Sequence, residues 1–115
     1  MRPYCRLTHS DDIKRVRQEG KSFAHPALVL GFIPNRLDQN RIAVIAGRSV
    51  GGAVQRNFAK RRLRSAFQQF QEGLKQGYDL ILIARKPILE IPYASLLEGL
   101  DSLIRRTELL KDEVN

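Results

Sequence analysis

The run YDLILIARKP at 78–87 sets Leu80, Ile81, Leu82, Ile83 and Ala84 side by side and stops at Pro87. An uninterrupted apolar run of that length, closed by a proline, predicts a buried strand. A strand of this kind folds only if other elements cover it, and the rest of the chain supplies them. RIAVIAG at 41–47 reads as a second strand and ALVLGFI at 27–33 as a third, with KSFA just before it able to add a short one. PNRLDQN at 34–40 is a loop by its Pro, Asn and Asp content. A helix is predicted over 8–19, where Thr8 or Ser10 can cap it, Asp11 and Asp12 occupy the first turn, and Gly20 follows its end. A further helix fills about 93–111, with Leu96, Leu100, Leu103 and Leu110 joined by Leu97 and Ile104 in one apolar stripe.

The third helix, about 52–72, carries the unusual charge. Its core-facing side is Ala59, Leu63, Ala66, Phe67 and Phe70 at helical spacing, while Asn57, Lys60, Arg61, Arg64 and Gln68 fall together elsewhere on the cylinder. Between Asp38 and Glu72 there is no acid, yet that interval holds Arg41, Arg48, Arg56, Lys60, Arg61, Arg62 and Arg64. Like charges three and four residues apart destabilise an isolated helix by about a few tenths of a kcal/mol per pair. A solvated surface mixes its signs, so a stretch of one sign implies an anionic partner. Arg dominates this stretch, and its planar fork matches phosphate oxygens.

Composition narrows the partner. The 115 residues suit one domain, 1–115, large enough for a core without metals or disulfides. The formal net charge of +8 favours nucleic acid or an acidic membrane surface. No segment is long and apolar enough to span a membrane, the N-terminus lacks a signal-peptide pattern, and the single Cys5 cannot close an internal disulfide. A cytoplasmic location is expected. Two His, one Cys and no close carboxylate cluster make a poor inventory for a protein nuclease or an all-protein metal site. Phe67 and Phe70 are expected in the core and Phe23 in strand packing. Cys5, His9 and His25 are expected at the surface, while Arg85 and Lys86 remain open between structure and binding. A DNA reader is disfavoured, since nothing resembles a helix-turn-helix pair or a dimer helix.

The residues VGGAVQRNFAKRRLRSAF at 50–67, preceded by RIAVIAGRS and followed by YDLILIARKP, resemble the protein subunit of bacterial ribonuclease P. DDIKRVRQEGKSF at 11–23 is similar to that family's first helix and the Gly that ends it. The resemblance covers about 8–104. It implies an α+β fold, α-β-β-β-α-β-α, a two-layer sandwich with a mixed four-stranded sheet. A left-handed β-α-β crossover is implied too, as in a domain of a small-subunit ribosomal protein. It implies that Arg48, Arg56, Asn57, Lys60, Arg61, Arg62 and Arg64 bind the catalytic RNA. Ile13, Lys14 and Arg17 would then meet the 5′ leader of precursor tRNA in a cleft between the first helix and the sheet. No side chain is implied to be catalytic. The RNA subunit and its magnesium ions would cleave the leader, and the protein would bind no cofactor or metal of its own and need no obligate protein partner. The alternative is another structured-RNA binder of similar fold, such as a ribosome-associated protein.

The chain departs from the family pattern at several places. Phe58 stands where Arg is usual and Arg62 where an aliphatic residue is usual. Because these are i, i+4 neighbours, the charge is expected to have moved one turn along the same side. Gly52 replaces a usual Asn, Arg48 and Ser49 a common Lys pair. Ile13, Arg17 and Gly31 stand where rings are common.

Overall fold

The computed structural model describes residues 5–111; positions 1–4 and 112–115, which the single-domain expectation includes, lie outside the described residues. In chain order the elements are β1 (Cys5–Arg6), α1 (Ser10–Glu19), β2 (Lys21–His25), β3 (Leu28–Pro34), β4 (Arg41–Ile45), α2 (Ala53–Gln68), β5 (Tyr78–Ala84) and α3 (Tyr93–Thr107). Short 3-10 turns at Gln71–Gly73 and Lys86–Leu89 follow α2 and β5. The sheet runs β1-β4-β5-β3-β2, with β1, β4 and β5 parallel and β3 antiparallel to both β5 and β2. The expected α+β fold and its mixed sheet are present, with two additions. A fifth strand, β1, extends the four expected, and α1 lies on the opposite face of the sheet from α2 and α3.

The alternation of the strands explains why both faces are covered. Leu28, Leu30 and Phe32 of β3, Ile42 of β4, and Leu80 and Leu82 of β5 point to one side. There they pack with Ala59, Leu63, Ala66 and Phe67 of α2 and with Leu96, Leu100, Leu103 and Ile104 of α3. Ala43 and Ile81 point to the other side and meet Leu7 and Val16, with Ile13, Ile33, Ile45 and Ile83 packed around them. β5 therefore carries apolar residues on both faces, as its unbroken run predicts.

Two glycines set how α1 sits. A Cβ at Gly20 would lie 2.5 Å from the Phe32 carbonyl oxygen and 2.6 Å from that of Val16, so only glycine lets α1 turn into β2 against this backbone. Gly31 is buried beneath α1, and a Cβ there would meet Ile81 Cγ1 at 3.0 Å and Val16 Cγ1 at 3.5 Å. The small residue lets Val16 and Ile81 close over the strand where a ring would hold α1 away.

A polar network joins the starts of β4 and β5. Asp79 is fully buried and accepts from Arg41 Nε at 2.8 Å, Arg41 Nη2 at 2.7 Å and Asn35 Nδ2 at 3.0 Å. Asn40 donates from Nδ2 to the Lys75 carbonyl and accepts from the Tyr78 N–H. Arg41 Nη1 also reaches Asp12 of α1 at 3.5 Å. The hydrogen bond to Asp79 holds the Arg41 pKa above its ordinary value, against the opposing effect of burial.

Candidate nucleic-acid interface

The basic residues of α2 owe their placement to what the helix buries. With Ala59, Leu63, Ala66 and Phe67 turned to the sheet, Arg56, Lys60 and Arg64 form a row at i, i+4, i+8 along one flank. Asn57 and Arg61 stand beside that row and are exposed; Arg56, Lys60 and Arg64 are half-buried at their stems. Among the described residues none of Arg56, Lys60, Arg61 and Arg64 has a carboxylate partner or a side-chain hydrogen bond, and the Arg64 Nε is buried without an acceptor. Acids that pair elsewhere include Asp12, Asp79 and Asp101, none of them on α2. The strip is thus a row of cations with its counter-charge missing, suited to a polyphosphate chain.

Arg62 does not belong to that strip. Two residues from Arg64, it lies nearly opposite on the helix and faces α3. Its Nη1 donates to the carbonyls of Ile88 at 2.7 Å and Ile91 at 2.8 Å, and its guanidinium lies over the rings of Phe58 at 5.5 Å and Tyr93 at 5.8 Å. The expected shift of RNA-binding charge from 58 to 62 is therefore corrected: this cation is spent inside the fold, tying α2 to the segment that enters α3. Arg62→Leu is expected to cost about 2 kcal/mol, because it removes charge-assisted hydrogen bonds and orphans two carbonyls. RNA affinity of the folded protein should keep its salt dependence. A variant with native melting temperature and a shallower salt dependence would show that Arg62 does bind phosphate.

Arg48 is exposed in the turn between β4 and α2, where the Val50 N–H bonds the Gly47 carbonyl and the Gly51 N–H bonds that of Arg48. Gly51 has φ +148°, which restricts this bend to glycine. The start of α2 has Gly52 at its cap and no side-chain cap.

On the other face of the sheet α1 leaves part of the surface uncovered. The result is a cleft of about 1090 Å³ floored by Val29, Gly31, Ile81 and Ile83, walled by Val16 and Arg17 of α1, and rimmed by Ser49, Arg85 and Lys86. Of the three expected leader contacts only Arg17 lines it. Lys14 is exposed outside it, and Ile13 packs into the core between α1 and the sheet. Arg85 and Lys86, which the sequence left open, come to the rim because β5 ends antiparallel to the start of β3, where the Arg85 N–H bonds the Ala27 carbonyl and its Nη1 that of His25. His25 is not a plain surface residue: its Nδ1 accepts from the Ala27 N–H at the hairpin, and its ring lies against Gly99, where a Cβ would meet Nε2 at 2.6 Å. Phe23 packs within the fold, stacked on Phe32 and under Arg106.

No group of three His, Cys, Asp or Glu side chains among the described residues could hold a metal ion, and no described helix is long and apolar enough to cross a membrane.

Comparison with known proteins points one way. Residues 1–108 match the family model described as Ribonuclease P. The ribonuclease P protein component of Chloroflexus aurantiacus is 38% identical over the whole of this chain and 86% of its own length. That of Caldanaerobacter subterraneus is 32% identical over 94% of this chain and 93% of the relative. Among solved structures, the RNase P protein of Staphylococcus aureus superposes with a TM-score of 0.82 at 24% identity, covering 95% of this chain and all of that one. The RNase P protein of Thermotoga maritima superposes at 0.77 with 28% identity, over 88% of this chain and 96% of that one.

Proposed function

The chain belongs to the ribonuclease P protein family and is an RNA-binding subunit of that enzyme; we propose that it divides its two RNA contacts between the faces of its sheet. The strip Arg56, Asn57, Lys60, Arg61 and Arg64, with Arg48 at the preceding turn, holds the catalytic RNA. The cleft beside α1 takes the 5′ leader of precursor tRNA, with Arg17, Arg85 and Lys86 facing its phosphates. The observation that carries the first assignment is the strip's unpaired charge. The second is supported by the cleft's cationic rim around an apolar floor. That floor is aliphatic, and the His25 imidazole, packed against Gly99, is the ring in the lining, so leader binding is chiefly electrostatic, with the planar Arg17 guanidinium able to lie over a base.

The hydrolysis belongs to the RNA subunit and the magnesium ions bound to it. In this reading the protein's contribution is to bind and orient. The protein works in the cytoplasm, where precursor tRNA is processed. A ribosome-associated role is not favoured, since the family match spans nearly the whole chain.

Reconstitution tests the reading. Native protein added to the cognate catalytic RNA should restore precursor-tRNA cleavage at low magnesium. Arg56→Ala, Arg61→Ala and Arg64→Ala should each weaken binding of the catalytic RNA. Each should also lower the slope of log affinity against log salt by about 0.7–0.9, the value for one phosphate contact. An unchanged slope in all three variants would leave the strip merely solvated. A native protein that restores no cleavage would remove the assignment altogether.

A further inference from the structure

Beside the basic strip, α2 shows solvent an aromatic ring that the charge argument does not use. Phe58 is 39% exposed although it lies mid-helix, and Val54, one turn before it, is 78% exposed. Along with Leu37 in a distant loop, these are, among the described residues, the large apolar side chains most open to water. Arg61 stands three residues on and is exposed beside the ring; Asn57 precedes it and is exposed as well.

The ring is backed by a fixed support. The Arg62 guanidinium lies over Phe58 and is itself pinned by two hydrogen bonds to the carbonyls of Ile88 and Ile91. The same guanidinium also lies over the Tyr93 ring, whose hydroxyl is 2.8 Å from Ser65 Oγ. Phe58 thus rests on a cation anchored to the start of α3 and is itself open to solvent. An aromatic side chain held this way loses little further freedom when a flat partner settles on it. The partner that fits is also flat, and it is attached to an anionic backbone, because Arg61, one turn on, is exposed beside the ring and leads round the helix to the row of Arg56, Lys60 and Arg64.

We propose that Phe58 is a stacking site for an unpaired base of the catalytic RNA, with Arg62 as its positioning residue. This rests on the functional reading above and adds to it a contact that carries no charge. It gives the protein a means of choosing where on an RNA it sits: the phosphates of any helix satisfy the arginines, while only a base free of its own stack can reach the ring.

The test uses holoenzyme reconstituted from full-length protein and the cognate catalytic RNA, over a salt series. Phe58→Leu keeps an apolar side chain against Arg62 and removes the aromatic face. It should weaken RNA binding about 5- to 150-fold, the range for losing one stacked base, at an unchanged salt slope and an unchanged melting temperature. Phe58→Trp should bind at least as tightly as native protein. Ultraviolet irradiation of the native complex should join the peptide containing Phe58 to one nucleotide, a readout that does not depend on how any variant folds. The stack is overturned if Phe58→Leu binds within twofold of native protein and no crosslink forms. It is equally overturned if the loss appears only as a reduced slope or a lowered melting temperature, or if Phe58→Leu abolishes self-association of the free protein and leaves RNA binding intact. If native protein fails to bind the RNA, the functional reading falls and takes this inference with it; native binding beside an unaffected Leu variant removes the stack alone.

Discussion

Phe67→Ala is expected to cost about 3–5 kcal/mol of stability, the range for truncating a fully buried phenylalanine. Phe67 is 1% exposed and is the largest of the fully buried side chains. It projects from α2 into the core shared with the sheet and with Leu74. For a chain of this size the melting temperature should fall by about 10–20 °C. RNA binding should decline only as the folded fraction declines, and the salt slope of what remains folded should be native. Thermal denaturation beside an RNA titration at low temperature decides the matter. A variant that melts like native protein but binds RNA poorly would mean that α2 turns its Phe67 side to the RNA and not to the sheet.

Arg41→Ala is expected to cost about 3 kcal/mol for a different reason. It leaves the Asp79 carboxylate wholly buried with one remaining hydrogen bond, from Asn35. Removing one partner of a buried ion pair typically costs about 3–5 kcal/mol, because the other charge stays behind unpaired. The lower end applies here, since Arg41 is itself 26% exposed and its removal admits water. The double variant Arg41→Met, Asp79→Leu should recover much of the loss, as no charge is then stranded. Denaturant titration of the two variants gives the coupling directly. An Arg41→Ala protein within about half a kcal/mol of native would show that water already reaches Asp79. Because Arg41 also meets Asp12 of α1, the same substitution should loosen the wall of the cleft.

Periodicity made the main elements legible. Apolar runs marked β3, β4 and β5, and helical spacing marked all three helices and the core residues Phe67, Leu96, Leu100 and Leu103. Ends were less visible, because tertiary contacts set them. α2 stops at Gln68 and not near 72: no breaker stands there, but the chain must turn so that Leu74 can pair with Leu110. α3 ends at Thr107, where Glu108 takes a left-handed conformation with φ 63° and the Thr107 hydroxyl accepts from the Leu109 N–H. Neither residue resembles the glycine that usually signals such an end. β1 is two residues long and carries no pattern of its own; it forms because Leu7 is buried beside it and β4 offers an edge.

The candidate site was legible in its charge but not in its allocation. Arg56, Lys60, Arg61, Arg62 and Arg64 look alike as a sequence, and nothing local says that one of them is tied to carbonyls 26 and 29 residues away. Arg85 and Lys86 reached the cleft through the antiparallel pairing of β3 and β5, which no residue pattern announces. The missing ring at Gly31 was visible at once. Its effect, a cleft floor drawn close beneath Val16, required the packing.

On the functional reading proposed above, the turn carrying Arg48 and Ser49 borders both RNA surfaces at once: Ser49 lines the cleft, and α2 begins four residues later. Two ligand sites fixed on one rigid body act on joined or docked ligands as a single bivalent clamp. Once the catalytic RNA is held, a leader presented near it meets the cleft as an intramolecular partner, at an effective concentration set by geometry and not by bulk supply. Short flexible tethers give such systems millimolar effective concentrations; a seven-residue connection between a strand and a helix, 46–52, has far less slack to lose. On that reading a weak cleft suffices for capture, and its weakness has a use. Once the leader is cut from the tRNA body, the fragment loses its second point of attachment and departs at the rate of the weak site alone.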